Sequence, residues 1–301
     1  MNPDQLKHRI RGVLAFSPTP FTADDQLDTE GLAQHVDFLC RSGVHVVVVC
    51  GGVGEFFALD NDEYRACVQT AVSAAAGRVP VIAGVGHATK IACRLAISAE
   101  EAGADGLMIN PLYFVDPSEE GLHHHYLTLS RATSLGMIAF STRGMVYTPA
   151  MLQRLSEVSS VVALKDEHGD LKLFMESVEL LGDRMAWING MAETLAAPYF
   201  AAGAGSITSG LVNFVPALTL AVWEAGIAQE WATLRQIISE RVRPLARLRE
   251  RRRGYHITVL KEAMNMLGMP GGAVRSPLLP LLPQDREDLR TTLKGLGLQP
   301  V

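Results

Sequence analysis

Eight short apolar runs punctuate the chain, and a stretch with helical periodicity follows nearly every one. The runs are VLAFS (13–17), HVVVVC (45–50), PVIAG (80–84), DGLMI (105–109), MIAFS (137–141), VVALK (161–165), MAWIN (185–189) and GSITS (205–209). They are continuous rather than alternating, the pattern of parallel strands covered on both faces. DTEGLAQHVDFLCRSG opens on an Asp/Thr cap and stops at Gly43, NDEYRACVQTAVSAAAG runs from Asn61 to Gly77, and TKIACRLAISAEEAG runs from Thr89 to Gly103. Polar starts and glycine stops of this kind mark helix ends. PSEEGLHHHYLTLSRATSLG, TPAMLQRLSEV, DLKLFMESVELLG and AETLAAPYFAAG continue the series. Eight strand-then-helix units predict an α/β fold, a (β/α)8 TIM barrel. A doubly wound open sheet fits less well, because no strand ends in a Rossmann-type phosphate loop. After about residue 214 the strand pattern stops and helical periodicity continues to the end. The expected organisation is a barrel in residues 1–225 and a C-terminal helical extension in 226–301, packed on it.

Composition supports a globular reading, with 48% hydrophobic and 20% charged residues in 301. A formal charge of −5 gives no electrostatic case for a nucleic-acid partner. One local exception is RLRERRRGY (247–255), with arginines at 247, 249, 251, 252 and 253. It reads first as the solvated end of a helix, and second as an anion-binding or subunit-interface patch. Cys40, Cys50, Cys67 and Cys93 form no C-x-x-C pair, so reduced and mostly buried thiols are expected. The N-terminus lacks a signal-peptide core and no window suits a membrane span. These features predict a cytoplasmic protein with no membrane partner. The triplet His123-His124-His125 is a poor metal site, since adjacent helical residues point in different directions. A solvated helix face is the expectation there, and no metal is expected.

In a TIM barrel the chemistry sits at the carboxyl ends of the strands. Strand two is followed by Gly51-Gly52-Val53-Gly54, strand four by Asn110-Pro111-Leu112-Tyr113-Phe114, and strand five ends in Phe140-Ser141. Strand six ends in Lys165-Asp166, strand seven in Asn189-Gly190, and strand eight leads into Thr208-Ser209 and on to Asn213. The glycine loop allows close backbone approach, and its N–H groups could hold a carboxylate. It also fits a plain tight turn, and it is not a Walker loop. Lys165 ends an apolar run at the lip of a core, where desolvation lowers an ammonium pKa and frees a nucleophilic amine. A solvated or salt-bridged lysine is the plainer alternative.

Taken in order, GGVGEFFAL, PVIAGVG, AGADGLMINP, SEEGL, VVALKDEHGDL and SGLVNFVP resemble the dihydrodipicolinate synthase/N-acetylneuraminate lyase family. Gly52, Phe56-Phe57, KDEHGD (165–170), NFVPAL (213–218), RRRGYHITVLKEAM and GGAVRSPL resemble its 5-dehydro-4-deoxyglucarate dehydratase branch. The resemblance implies a (β/α)8 barrel, a homotetramer (or a dimer) and no cofactor. It implies that Lys165 forms a Schiff base with the keto group of a small-molecule 2-oxo acid. It also implies a relay of hydroxyls, in which Tyr113 matches the tyrosine that reaches in from a neighbouring subunit.

The sequence departs from that relay. Val53 stands where a threonine is usual and Phe140 where a tyrosine is usual; neither side chain can carry a proton. Ser141 replaces an asparagine, Thr142 stands where an arginine is usual with Arg143 following, and Met145 holds the usual synthase arginine position. The resulting expectation is a Schiff-base lyase or dehydratase acting on a sugar-acid-derived 2-oxo acid. The alternatives are an aldolase of the same family or a catalytically impaired metabolite binder. Lys165 and Tyr113 are the candidate catalytic residues. Gly51, Gly52, Val53, Phe140, Ser141, Gly190, Ser209 and Asn213 are the candidate substrate contacts. Ser141, His168, a water or the substrate's own carboxylate are candidate substitutes for the relay.

Overall fold

The computed structural model of the protein describes residues 1–112, 115–142 and 144–301. Strands β1 (Gly12–Phe16), β2 (Val46–Val49), β3 (Val81–Val85), β4 (Gly106–Ile109), β5 (Gly136–Ser141), β6 (Val161–Asp166), β7 (Ala186–Asn189) and β8 (Ser206–Ser209) close into a parallel barrel in chain order. Each predicted apolar run overlaps one of these strands. Closure is direct: Val13 lies level with Ile207 across the β1–β8 seam.

Helix α1 (Pro3–Arg9) is an element the apolar pattern did not predict. Asn2 and Gln5 cap it reciprocally, and its apolar side plugs the amino-terminal end of the barrel. A Cβ on Gly106 would stand 2.4 Å from Leu6, so the glycine makes room for the plug. The helices α2 (Thr29–Arg41), α3 (Asn61–Ala75), α4 (Thr89–Glu101), α5 (Glu119–Ala132), α6 (Pro149–Leu155), α7 (Leu171–Leu181), α8 (Ala196–Ala201) and α9 (Pro216–Ile227) surround the strands. Asp60 starts α3 by accepting the N–H groups of Asp62 and Glu63, and the Glu63 side chain returns to the Asp60 N–H. Two apolar layers result. Leu14, Phe16, Val46, Val48 and Ile188 fill the barrel, while Val13, Ala15, Val47 and Val49 pack outward against the helices.

The expected extension follows as α10 (Trp231–Ile237), a π-turn (Ile238–Val242), α11 (Arg243–Glu250), α12 (Tyr255–Met266) and α13 (Pro283–Gly295). The four cysteines are free; Cys50 and Cys67 are buried, Cys40 and Cys93 half-buried. No helix among the described residues is long and apolar enough to cross a membrane. The histidine triplet divides: His124 is exposed, but His125 turns inward on α5 and its Nδ1 meets the Thr89 hydroxyl at 2.9 Å. The triplet is therefore not one solvated face, because a single helical step of about 100° carries His125 onto the buried stripe.

Candidate active site

One irregularity in the barrel decides where Lys165 points. Along the β5–β6 ladder Met137 is level with Val161, but Ile138 is level with Ala163. Strand β6 thus carries one extra residue. Val162 and Ala163 both belong to the barrel interior, Leu164 packs outward, and Lys165 faces inward again. Strict alternation from Val162 would have put Leu164 inside and Lys165 outside. The bulge re-aims the lysine, a use to which bulges beside functional sites are often put.

Lys165 is 4% exposed and opens on a cavity of about 480 Å³ at the carboxyl end of the barrel. Its Nζ stands 3.2 Å from the centroid of the Phe140 ring and 5.3 Å from that of Phe16. Nζ donates to Glu167 Oε2 at 2.5 Å. Burial pushes the ammonium pKa down, while the charges of Glu167 and then Asp166 pull it up. The net direction is downward, which favours the free amine.

The loop after β2 forms the facing wall. Glu55 N–H donates to Gly52 O at 3.1 Å and Phe56 N–H to Gly51 O at 3.2 Å, closing two successive turns. Gly52 and Val53 line the cavity, and their N–H groups have no partner among the described residues. Cys50 and Glu55 bracket this loop in left-handed conformations, at φ 55° and 52°. Strained non-glycine backbone of this kind persists only where its surroundings hold it. Here the Glu55 side chain is fully buried, with Oε1 at 2.6 Å from Lys261 Nζ and Oε2 accepting Arg275 N–H at 2.9 Å. Thus α12 and the segment after it fix the wall of the site.

The profile of the Dihydrodipicolinate synthetase family matches residues 9–296. The chain belongs to this family. The probable 5-dehydro-4-deoxyglucarate dehydratase of Azotobacter vinelandii is 35% identical over 303 residues, covering 99% of this chain and 100% of that protein. The protein of the same description from Saccharopolyspora erythraea is 36% identical, covering 93% of this chain and 92% of its own. Among solved structures, the dihydrodipicolinate synthase of Oceanobacillus iheyensis superposes with a TM-score of 0.93 at 28% identity, covering 98% of this chain and 99% of that one.

Within this dihydrodipicolinate synthetase family barrel, Gly52, Val53, Phe140, Lys165, Gly190 and Ser209 share the cavity. A Cβ on Gly190 would lie 2.6 Å from Asp166 O, so strands six and seven can approach only with glycine there. Ser209 is committed: it donates to Glu193 and accepts Val212 N–H at 3.0 Å. Gly51 lies beneath the wall, against Phe16 and Met108. Asn213 is buried off the cavity, donating to Phe16 O at 2.8 Å and Gly210 O at 2.7 Å. Ser141 and His168 lie with Tyr147 in a separate small recess that Lys165 does not line. Tyr113 and Arg143 lie outside the described residues.

Sequence reasoning did not single out Glu167, Glu193, Glu250 or His256 as cavity residues, and it met Arg249 only within the RLRERRRGY patch, with anion binding as that patch's second reading. Glu167 and Glu193 follow β6 and β7, while Arg249, Glu250 and His256 come from the extension. Arg249 is half-buried, its Nε–H donating to His256 O at 3.2 Å. Burial lowers its pKa, and the charges of Glu193, Glu250 and Glu167 oppose that. No ion-pair partner stands within 4 Å of it among the described residues. A signal for it did exist. Val242, Leu245, Ala246 and Arg249 follow i, i+3, i+4, i+7 spacing, so of the α11 arginines 243, 247 and 249 only Arg249 continues the buried stripe.

Proposed function

We propose that the protein is a Schiff-base lyase of its family that dehydrates a sugar-acid-derived 2-oxo acid, 5-dehydro-4-deoxyglucarate being the best-supported substrate. The observation that carries this reading is Lys165: a buried amine with a lowered pKa, opening on a cavity of about 480 Å³. The names and coverage of the relatives that are about one-third identical support the dehydratase over the synthase, as do Val53, Phe140 and Met145 at the synthase's polar positions.

In this reading the Lys165 amine attacks the keto carbon, water leaves, and a protonated imine forms. The imine draws electrons from the neighbouring carbon, so a proton can be removed there. The resulting enamine expels the hydroxyl one carbon further along, and a carboxylate is then lost as carbon dioxide. Reprotonation and hydrolysis of the imine by water then free Lys165 and release 2,5-dioxopentanoate, so that the net loss from 5-dehydro-4-deoxyglucarate is one water and one carbon dioxide. The free N–H groups of Gly52 and Val53 would hold the carboxylate beside the keto group. Arg249 is a counter-charge for the second carboxylate, and Tyr113 remains a candidate donor. No cofactor is needed in this scheme. We further propose a homotetramer (or dimer) acting in the cytoplasm, with residues 1–225 as barrel and 226–301 as extension.

Borohydride reduction in the presence of pyruvate or 5-dehydro-4-deoxyglucarate, read by intact mass, tests this directly. The expected result is a reduced adduct that Lys165→Ala lacks, with carbon dioxide release from the sugar acid alone. No adduct with either acid would overturn the reading. Light scattering of the purified chain tests the assembly.

A further inference from the structure

The proposed imine chemistry needs a group that takes a proton from carbon, yet Val53 and Phe140 cannot supply one. We propose that Glu167 is the catalytic acid–base residue, taking the proton from the carbon next to the imine and handing it to the departing hydroxyl. This inference rests on the Schiff-base reading of Lys165.

Geometry supports the assignment. Among the described residues Glu167 is the one side chain within hydrogen-bond reach of Lys165 Nζ, at 2.5 Å. The carbon to be deprotonated is two bonds from that nitrogen, hence roughly 2.5 Å from it for bonds of about 1.3 and 1.5 Å. A carboxylate already touching Nζ can reach it with a small rotation. Backbone geometry keeps Glu167 there, because its N–H donates to Ser141 O at 2.8 Å and extends the β5–β6 ladder by one residue. Two positions beyond Lys165, it stands on the same side of the strand line.

Two other polar groups of the cavity are committed elsewhere, and Glu250 and His256 make no hydrogen bond to Lys165 Nζ among the described residues. Glu193 accepts the hydroxyls of Ser209 and Thr219, and Thr208 donates to Asn189 O and Gly190 O, each at 3.3 Å. Glu167 has no such competing bond and its side chain is 45% exposed, so it can exchange protons with solvent.

The step balances as follows. The C–H bond breaks and Glu167 becomes a carboxylic acid. The C–H electron pair forms a carbon–carbon double bond, and the imine pair returns to nitrogen. The enamine then expels hydroxide from the next carbon, and the Glu167 proton completes it as water. No oxidant or further reactant is required.

Pyruvate separates this step from the rest, since its methyl group exchanges with solvent deuterium only through the enamine. The wild-type chain and Glu167→Gln are compared for borohydride trapping and for methyl exchange in D2O by NMR. Glu167 holds the Lys165 pKa up, so its removal leaves more free amine and trapping persists. The expected result is undiminished trapping with methyl exchange slowed by about 10²–10⁴-fold, the usual worth of a positioned base. Glu167→Asp, which keeps the carboxylate one methylene further back, should recover part of the exchange. Normal exchange in Glu167→Gln would overturn the assignment and leave the Schiff base intact. Exchange lost equally in both variants despite normal trapping supports a strict positional need for the carboxylate. Loss of trapping together with exchange in Glu167→Gln would overturn the assignment as written and make Glu167 a group needed to build the imine. Failure of the wild-type chain to trap pyruvate would remove the Schiff-base reading itself.

Discussion

Two buried lysines stand at opposite sides of the glycine loop, and they have nearly the same immediate chemistry. Lys165 is 4% exposed and Lys261 1%. Each donates to a glutamate at 2.5–2.6 Å and each lies over a phenylalanine ring, Phe140 or Phe21. In both, burial lowers the pKa and the glutamate's charge raises it. Perturbed titration therefore does not tell them apart. What differs is the partner and the surroundings. Glu55 is fully buried, and Lys261 also donates to Thr19 O at 2.8 Å, so that pair is closed on protein. Glu167 is 45% exposed, and the amine it meets opens on the cavity. A perturbed lysine is a site only where a reactant can arrive. The closed pair does structural work for the open one, because Glu55 holds the strained wall that faces Lys165.

The largest predicted effects come from removing each amine in turn. Lys165→Ala should abolish adduct formation, yet its denaturation midpoint should imply a loss of no more than about 1 kcal/mol, because Glu167 is left half-solvated. Lys261→Met should do the reverse to stability. It strands a buried carboxylate, and loss of one partner of a buried pair costs about 3–5 kcal/mol. Replacing both, as Glu55→Gln with Lys261→Met, should restore most of that, since a neutral buried pair carries no uncompensated charge. Urea titrations of the three variants check this ordering. A Lys261→Met midpoint near that of Lys165→Ala would break the comparison.

Acid should act on the closed side of the molecule. His35 is fully buried against Asn213, and burial lowers its pKa to about 4 despite the opposing hydrogen bond. Its tautomer follows from the partners. Asn213 uses its NH2 to donate to Phe16 O and Gly210 O, so its Oδ1 must accept, and His35 Nε2–H donates to it at 2.8 Å. Nδ1 is then a bare buried nitrogen with no partner among the described residues. The folded pKa lies below the unfolded value of 6.5, so the unfolded chain takes up a proton first as pH falls. The stabilisation is complete above pH 6.5 and is lost on descending to pH 4. The loss amounts to roughly 3 kcal/mol at about 1.4 kcal/mol per unit. His35→Gln removes the titration, and the difference between its stability–pH curve and the wild-type curve isolates the term. A constant difference across that window would show that His35 does not titrate in this way.

Much of this was legible in the sequence, for reasons that also explain what was not. The apolar runs had to be strands because no other element of that length buries both faces, and Lys165 was visible as the polar end of one. Phe140 and Ser141 were both candidate contacts, but adjacent strand residues face opposite sides; Phe140 lines the cavity and Ser141 the recess behind it. The β6 bulge left no mark in Val161-Val162-Ala163-Leu164, since four apolar residues pack equally well in either register. Arg249 and His256 are separated from Lys165 by 84 and 91 positions in the chain and meet it only through folding of the extension. Glu167 carried no signal of its own in the sequence, because its role depends on a bond to the lysine two residues earlier and not on any periodic pattern.

The smallest predicted effect is the one that sharpens the site most. Phe140→Tyr adds back a hydroxyl at the end of β5, on a ring whose centroid is 3.2 Å from Lys165 Nζ. Phe140 is already packed, so the change adds one polar atom at the cavity edge and should leave stability within about 1 kcal/mol. If Glu167 carries the proton, a second carrier changes little, and pyruvate methyl exchange should rise less than tenfold. If the missing hydroxyl is what limits the enzyme, restoring it should raise exchange by about 10²–10⁴-fold. Combining Phe140→Tyr with Glu167→Gln separates the two. Recovery of exchange in the double variant would mean that either position can serve as the proton carrier. No recovery would tie proton transfer to the carboxylate beside the amine, so that an open lysine is distinguished from a closed one by a half-exposed acid as well as by its cavity.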